Sequence, residues 1–179
     1  MQKIYAGIGS RETPDETLIF MTSLATQLDK MGFILRSGGA SGADEAFARG
    51  GIHSEIYLPW SGFRNNTNYR FTSPSEDAFP MAANLHPAWD KLSQGAQKLM
   101  ARNCHQVLGY DLQTPCAFVV CWTKDGAETR EQCSSKTGGT GQAIRLASDH
   151  NIPVFNLKYK HAVLRLTNYV KLNFPESFL

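Results

Sequence analysis

Residues 33–44 read Phe33-Ile34-Leu35-Arg36-Ser37-Gly38-Gly39-Ala40-Ser41-Gly42-Ala43-Asp44. A short strand-like run enters a turn carrying Gly38, Gly39 and Gly42, and Ser41 with Asp44 three residues on signals the cap of a helix ending at Gly50-Gly51. A strand that breaks at glycines and passes directly into a helix is the repeating unit of a parallel sheet. Glycine lets backbone N–H groups approach a ligand, and the helix start adds unpaired donors and the positive end of a dipole.

The same unit recurs on both sides of this stretch. Residues 3–8 read as a first strand, followed by Gly7-Ile8-Gly9-Ser10-Arg11. Thr13-Pro14-Asp15-Glu16 predicts a capping box with proline at the first helical position. The helix it opens carries Leu18, Met21, Leu24, Ala25 and Leu28 at helical spacing and stops at Gly32. Residues 54–58 form a third strand that leaves at Pro59-Trp60, and 61–75 read as an irregular loop. Ser73-Pro74-Ser75-Glu76 caps a short helix ending near Pro87, and a longer helix covers about 91–107. Residues 116–122 (CAFVVCW) are apolar on both faces, as a central parallel strand requires. A polar loop over 123–136 leads into Thr137-Gly138-Gly139-Thr140-Gly141, a helix to about His150 and a strand over 152–157. A last helix places Ala162, Val163, Leu166, Tyr169 and Val170 on one face and stops before Pro175. The expected fold is α/β: a Rossmann-like three-layer sandwich with a mostly parallel sheet of five or more strands. With no repeat or long linker, residues 1–179 are expected to form one domain.

Composition narrows the function classes. Lys and Arg total 18 against 16 Asp and Glu, a net charge of +2, which weakens any reading built on phosphate-backbone electrostatics alone and leaves room for a local basic patch. No apolar run approaches the roughly 18 residues of a bilayer span, and the first residues lack an apolar signal core, so a cytoplasmic protein without membrane contact is expected. Cys104, Cys116, Cys121 and Cys133 form no CxxC pair and read as reduced structural thiols; no metal site and no cofactor are assigned. The histidines, His53, His86, His105, His150 and His161, pair with no obvious nucleophile, which excludes a triad.

In such a sheet, ligands bind beyond the carboxyl ends of the strands, near the point where strand order reverses. Three glycine turns sit there, and together they suggest an anion cradle, most simply for phosphate. They match neither G-x-G-x-x-G nor a P-loop with its lysine, which disfavours ordinary NAD enzymes and P-loop NTPases. The candidate ligand residues are Gly9, Ser10 and Arg11; Ser37, Gly38, Gly39, Ser41, Gly42 and Asp44; Trp60; Trp122 and Thr123; and Gly138, Gly139, Thr140 and Gly141. Arg11 is placed to grip a phosphate with its guanidinium, the plain alternative being an ion pair with Asp15 or Glu16. Asp44 is a candidate acceptor for a ribose hydroxyl, or simply the cap partner of Ser41. Trp60 offers a stacking face or closes the following loop, and Trp122 and Thr123 end the central strand at the ligand edge.

These residues carry a family resemblance. Gly9-Ser10-Arg11, the run from Ser37 to Asp44 quoted above, and Arg102-Asn103 resemble the DNA-processing protein A family. Thr137-Gly138-Gly139-Thr140-Gly141-Gln142-Ala143 resembles the glycine-rich loop of the Lonely Guy cytokinin-activating enzymes. Both belong to the SLOG superfamily of Rossmann-like nucleotide-ligand binders, and the resemblance covers most of residues 1–157. It implies a ligand-facing role for Arg102 and Asn103, and self-association into a homodimer or higher oligomer.

Three readings follow. Lonely Guy enzymes hydrolyse an N-glycosidic bond with a loop of pattern P-G-G-x-G-T-x-x-E. Here Thr137, Gln142 and Arg145 replace its Pro, Thr and Glu. A guanidinium opposes the oxocarbenium-like centre that a carboxylate stabilises, so Arg145 argues against an enzyme and no catalytic residue is assigned. The DNA-processing branch binds single-stranded DNA; Arg11, Arg64, Arg70 and Arg102 with Trp60, Phe63, Tyr69 and Phe71 supply the charges and rings such binding uses. The third and leading expectation is a binder of a phosphate-bearing nucleotide derivative, ADP-ribose-like or cyclic, acting without turnover. It would be a sensor, or a sequestering sponge such as a phage uses against host defence.

Overall fold

The computed structural model describes residues 2–66 and 69–178. Positions 67 and 68 of the expected irregular loop lie outside the described residues. Five strands, β1 (Ile4–Gly7), β2 (Ile34–Ser37), β3 (Ser54–Ile56), β4 (Phe118–Cys121) and β5 (Val154–Asn156), form one sheet in the order β3-β2-β1-β4-β5. Every pairing is parallel, with Tyr5 opposite Leu35 on one side and Phe118 on the other. The α/β, Rossmann-like expectation is met, and the sheet is wholly parallel.

Alternation along the strands sorts side chains into two cores. Ile4 and Ala6 of β1, Val119 and Cys121 of β4 and Val154 of β5 pack beneath α3 (Ala78–Leu85), α4 (Gln94–Leu108) and α5 (Thr140–Asp149). Tyr5, Leu35, Phe118, Val120 and Phe155 face α1 (Asp15–Lys30), α2 (Ala43–Gly50) and α6 (Ala162–Asn173). On that second side the Tyr5 and Phe118 rings stack with centroids 5.6 Å apart, and Phe33 meets Phe118 edge-on at 5.5 Å. The free thiols of Cys104 and Cys116 lie in the first core, where burial pushes both up to about 12. No helix among the described residues is long and apolar enough to cross a membrane.

The three expected caps all form differently, and α3 starts at Ala78 after Asp77 with no side-chain cap bond from the 73–76 stretch. α1 starts at Asp15 with Pro14 as its N-cap, and the Thr13 hydroxyl donates to the Ser10 carbonyl at 2.7 Å, tying the first turn instead of the helix. α2 starts at Ala43 with Gly42 as N-cap and no side-chain cap bond, because the Asp44 carboxylate turns back to Ala40 N–H at 3.3 Å. The Ser41–Asp44 cap is therefore absent. The strands are shorter at their ends than expected, yet the ladder bonds run past them: Ile8 N–H reaches Val120 O and Ser10 N–H reaches Trp122 O, each at 3.1 Å.

Candidate functional site

Strand order reverses between β1 and β4, and the carboxyl ends of these two strands open a crevice. A cleft of about 500 Å³ lies there, walled by Gly9, Ser10 and Arg11 after β1 and by residues 135–139 before α5, with Leu99 and Met100 of α4 as its apolar part. Three cations line it, Arg11, Lys124 and Lys136, against one carboxylate, Glu12. Among the described residues none of these three cations enters an ion pair. Gly138 stands at φ +65° with open space where a Cβ would be, and it and Gly139 are exposed at the cleft wall.

The middle glycine turn behaves differently. Gly42, at φ +82°, packs so closely on the first turn that a Cβ would lie 2.9 Å from both Arg11 Cα and the Ser10 carbonyl. Gly38 faces the other way, toward α4, where a Cβ would collide with Arg102 Nη1. Arg102 is 4% exposed, and its Nη1 donates to Asp44 Oδ2 at 3.2 Å. Burial pushes the Asp44 carboxyl up, and Arg102, Ala40 N–H and Gly38 N–H pull it back. The anion held by this turn is thus the protein's own. Gln106 completes the arrangement: its amide oxygen accepts from Gly38 N–H at 3.0 Å and Arg102 Nη1 at 3.2 Å, while its NH2 donates to Asn103 Oδ1 at 3.0 Å. Asn103 in turn donates to the Gly139 carbonyl at 3.0 Å. One helical face of α4 bolts the second glycine turn to the third.

The cleft wall after β4 is organised by Asp125. Its carboxylate accepts from Thr123 Oγ1 (2.9 Å), Ala127 N–H (3.3 Å), Ser134 Oγ (2.6 Å) and Thr137 Oγ1 (2.5 Å). Burial works to raise this carboxyl, but the four bonds outweigh it and hold it at about 2. Ser134 also accepts from Lys136 N–H at 3.1 Å, which sets Lys136 at the cleft. Asn156, at the end of β5, donates to Thr123 Oγ1 at 2.8 Å and the Ala127 carbonyl at 2.9 Å, fixing the other end of the loop.

No protein-family model matches the chain, and no curated protein matches it. Among solved structures, the chain is similar to DNA processing protein A from Helicobacter pylori, described for its unique single-stranded DNA binding mode. The TM-score is 0.52 at 18% sequence identity, over 87% of this chain and 65% of that one. The likeness is one of fold. The chain spans just under two thirds of that neighbour's length.

The candidate residues divide accordingly. Gly9, Ser10, Arg11, Gly138 and Gly139 line the cleft, and Thr140 and Gly141, both buried, start the helix behind it. Ser37 is fully buried and donates to the Gly7 carbonyl at 2.7 Å, so its hydroxyl braces two strands. Asp44, Arg102 and Asn103 face one another or Gly139 beneath the cleft, and Thr123 is buried against Asp125 and Asn156. Gly39 lines a smaller adjoining pocket; Ser41 and Gly42 are half-buried, and neither lines the cleft. Trp60, 36% exposed, stands edge-on to Phe63 at 5.0 Å and outside the cleft, and Trp122 packs its ring against the second core. Arg145 lies against Gly141, its Nη1 3.2 Å from where a Cβ would stand, and does not line the cleft. Its charge therefore says little about chemistry there. Sequence reasoning passed over Lys124, Lys136, Gln106, Leu99 and Met100. Lys124 had a legible signal, standing just past the end of an apolar central strand, where ligands of such sheets bind.

Proposed function

We propose that the cleft binds the phosphates of a single DNA strand. The observation that carries this reading is the run of cations Arg11, Lys124 and Lys136, none of them in an ion pair among the described residues, in a cleft that shares Ala40 with a second pocket. Arg64 and Tyr69 line that second pocket, and both are exposed. An open cationic track with the Tyr69 ring at its flank suits a chain of phosphates with an unstacked base. The single-stranded DNA binding ascribed to the structural neighbour supports the same choice. Membership of the SLOG superfamily, one binding domain over residues 1–179 and self-association belong to this proposal.

The test is fluorescence anisotropy of a labelled oligonucleotide across a salt series. Binding is expected to weaken steeply with salt, and Lys124→Ala and Lys136→Ala are each expected to lower the log–log slope by about one. Unchanged slopes in both variants would remove the cleft from the interface.

A second reading has its own observation. Leu99 and Met100 give the cleft an apolar wall against which one base of a free nucleotide derivative fits. A sensor or sequestering sponge would work this way, returning its ligand intact. Mass spectrometry of small molecules released by heat, after incubation with AMP, ADP-ribose, NAD and cyclic nucleotides, separates the two. Near-stoichiometric recovery of one intact nucleotide that also displaces the oligonucleotide would put this reading first, and recovery of free base with ribose phosphate would mean turnover.

A further inference from the structure

We propose that a separate pocket, on the flank of edge strand β3 and against the carboxyl end of α4, takes an uncharged planar heteroaromatic ring of the nucleobase type. The pocket holds about 370 Å³, at the small end of the range for small-molecule sites, about 300–1,000 Å³. Four rings from four separate parts of the chain lie nearly parallel beside it. Tyr57 and Phe71 are 4.6 Å apart at 28°, Phe71 and Tyr110 5.0 Å at 27°, His105 and Tyr110 5.0 Å at 24°, and Tyr57 and His105 5.6 Å at 28°. Tyr57 and His105 are buried, whereas Phe71 is half-buried and Tyr110 is 44% exposed, and both of these line the pocket. Rings already aligned offer a further flat molecule the same offset stacking. Arg70 lies over Phe71, 5.2 Å from its centroid.

The polar groups of the pocket choose the kind of ring. Arg36, 3% exposed, donates from Nε to Glu55 Oε2 at 2.6 Å and from Nη1 to the Thr114 carbonyl at 2.5 Å. Tyr57 donates to the same Glu55 oxygen at 2.7 Å. Behind the lining, buried His105 accepts from Ser75 N–H at Nε2, which leaves Nδ1 to donate to the Gly109 carbonyl and the ring neutral. Arg36 and Arg70 are balanced by Glu55 and Asp111, so the lining has no net charge to attract a phosphate or carboxylate. The exposed Arg70 and Asp111 set a donor and an acceptor beside the stacking wall, and this pairing matches the mixed edge of a nucleobase better than the single N–H of an indole or the bare rim of a phenyl ring.

Phosphate-free nucleosides test this pocket separately from the cleft. Adenosine, guanosine, cytidine and thymidine are titrated in turn and followed by calorimetry and by the ring-proton shifts of Tyr110 and Phe71. Saturable binding of at least one nucleoside is expected, weakened about tenfold by Tyr110→Ala and retained by Tyr110→Phe. The Lys136→Ala variant, altered only in the cleft, is expected to bind the nucleoside as the wild type does. The proposal is overturned if no nucleoside saturates, if N-acetyltryptophanamide alone does, or if Tyr110→Ala leaves nucleoside binding intact. Loss of nucleoside binding in Lys136→Ala would place the nucleoside in the cleft, whereas failure of DNA binding alone leaves the Tyr110 comparison unaffected.

Discussion

Arg102 shows how much depends on the direction of one side chain. Its guanidinium has a buried carboxylate on one side and the Gln106 amide on the other, and its Nε has no hydrogen-bond partner among the described residues. Removing one member of such a pair strands the other charge in a dry site, which costs about 3–5 kcal/mol. Arg102→Met is expected to lose that much in urea unfolding, and adding Asp44→Leu is expected to restore most of it. A single variant as stable as the wild type would mean the pair carries no stability. Sequence reading aimed Arg102 and Asn103 at the ligand, whereas in the structure they bond to Asp44, Gln106 and the Gly139 carbonyl. The difference has a physical cause: helical spacing tells which residues share a face, yet residues 101–108 of α4 are all buried, so the helix has no solvent face there to mark the polar side. Gln106 was passed over for the same reason.

At the scale of elements, the segment from Thr123 to Thr137 is a loop whose shape hangs on one carboxylate. Asp125 titrates near 2 in the folded protein against 3.8 for the ordinary group. A depressed pKa means that the stabilisation is complete above about pH 4 and is lost as the pH falls toward 2. Asp125→Asn is accordingly expected to melt below the wild type near neutral pH, with the gap closing as the pH approaches about 2; a gap that stays constant in acid would free the loop from dependence on this charge. The sequence marked 123–136 as polar and irregular, and that was right. It did not show Lys124 and Lys136 at one cleft, because their approach depends on Ser134 and Thr137 folding back onto Asp125. Bonds between side chains nine and twelve residues apart leave no periodic trace.

Across the whole molecule, the fold was the most legible feature. The apolar run 116–122 and the three glycine turns call for a parallel sheet, and the order β3-β2-β1-β4-β5 places the reversal where ligands were expected. Burial on both faces makes β1 and β4 the centre of the sheet, with no exposed residue in either. Their amides are expected to exchange with solvent only through global unfolding, while those of 123–137 exchange through local opening, as native-state hydrogen exchange would read. Equal rates in strand and loop would contradict that hierarchy.

The pairing of Tyr5 with Phe118 also sets a schedule during synthesis. The ribosome delivers the amino end first, so β1, β2 and β3 emerge and can pair long before β4 exists. Throughout that interval one edge of β1 carries open N–H and C=O groups beside the face of Tyr5 that Phe118 later covers, at what becomes the centre of the finished sheet. A nascent chain stalled before residue 118 therefore exposes an edge able to join its counterpart on a neighbouring ribosome. The interval in which this chain most needs a chaperone begins when β1 appears and closes when β4 does.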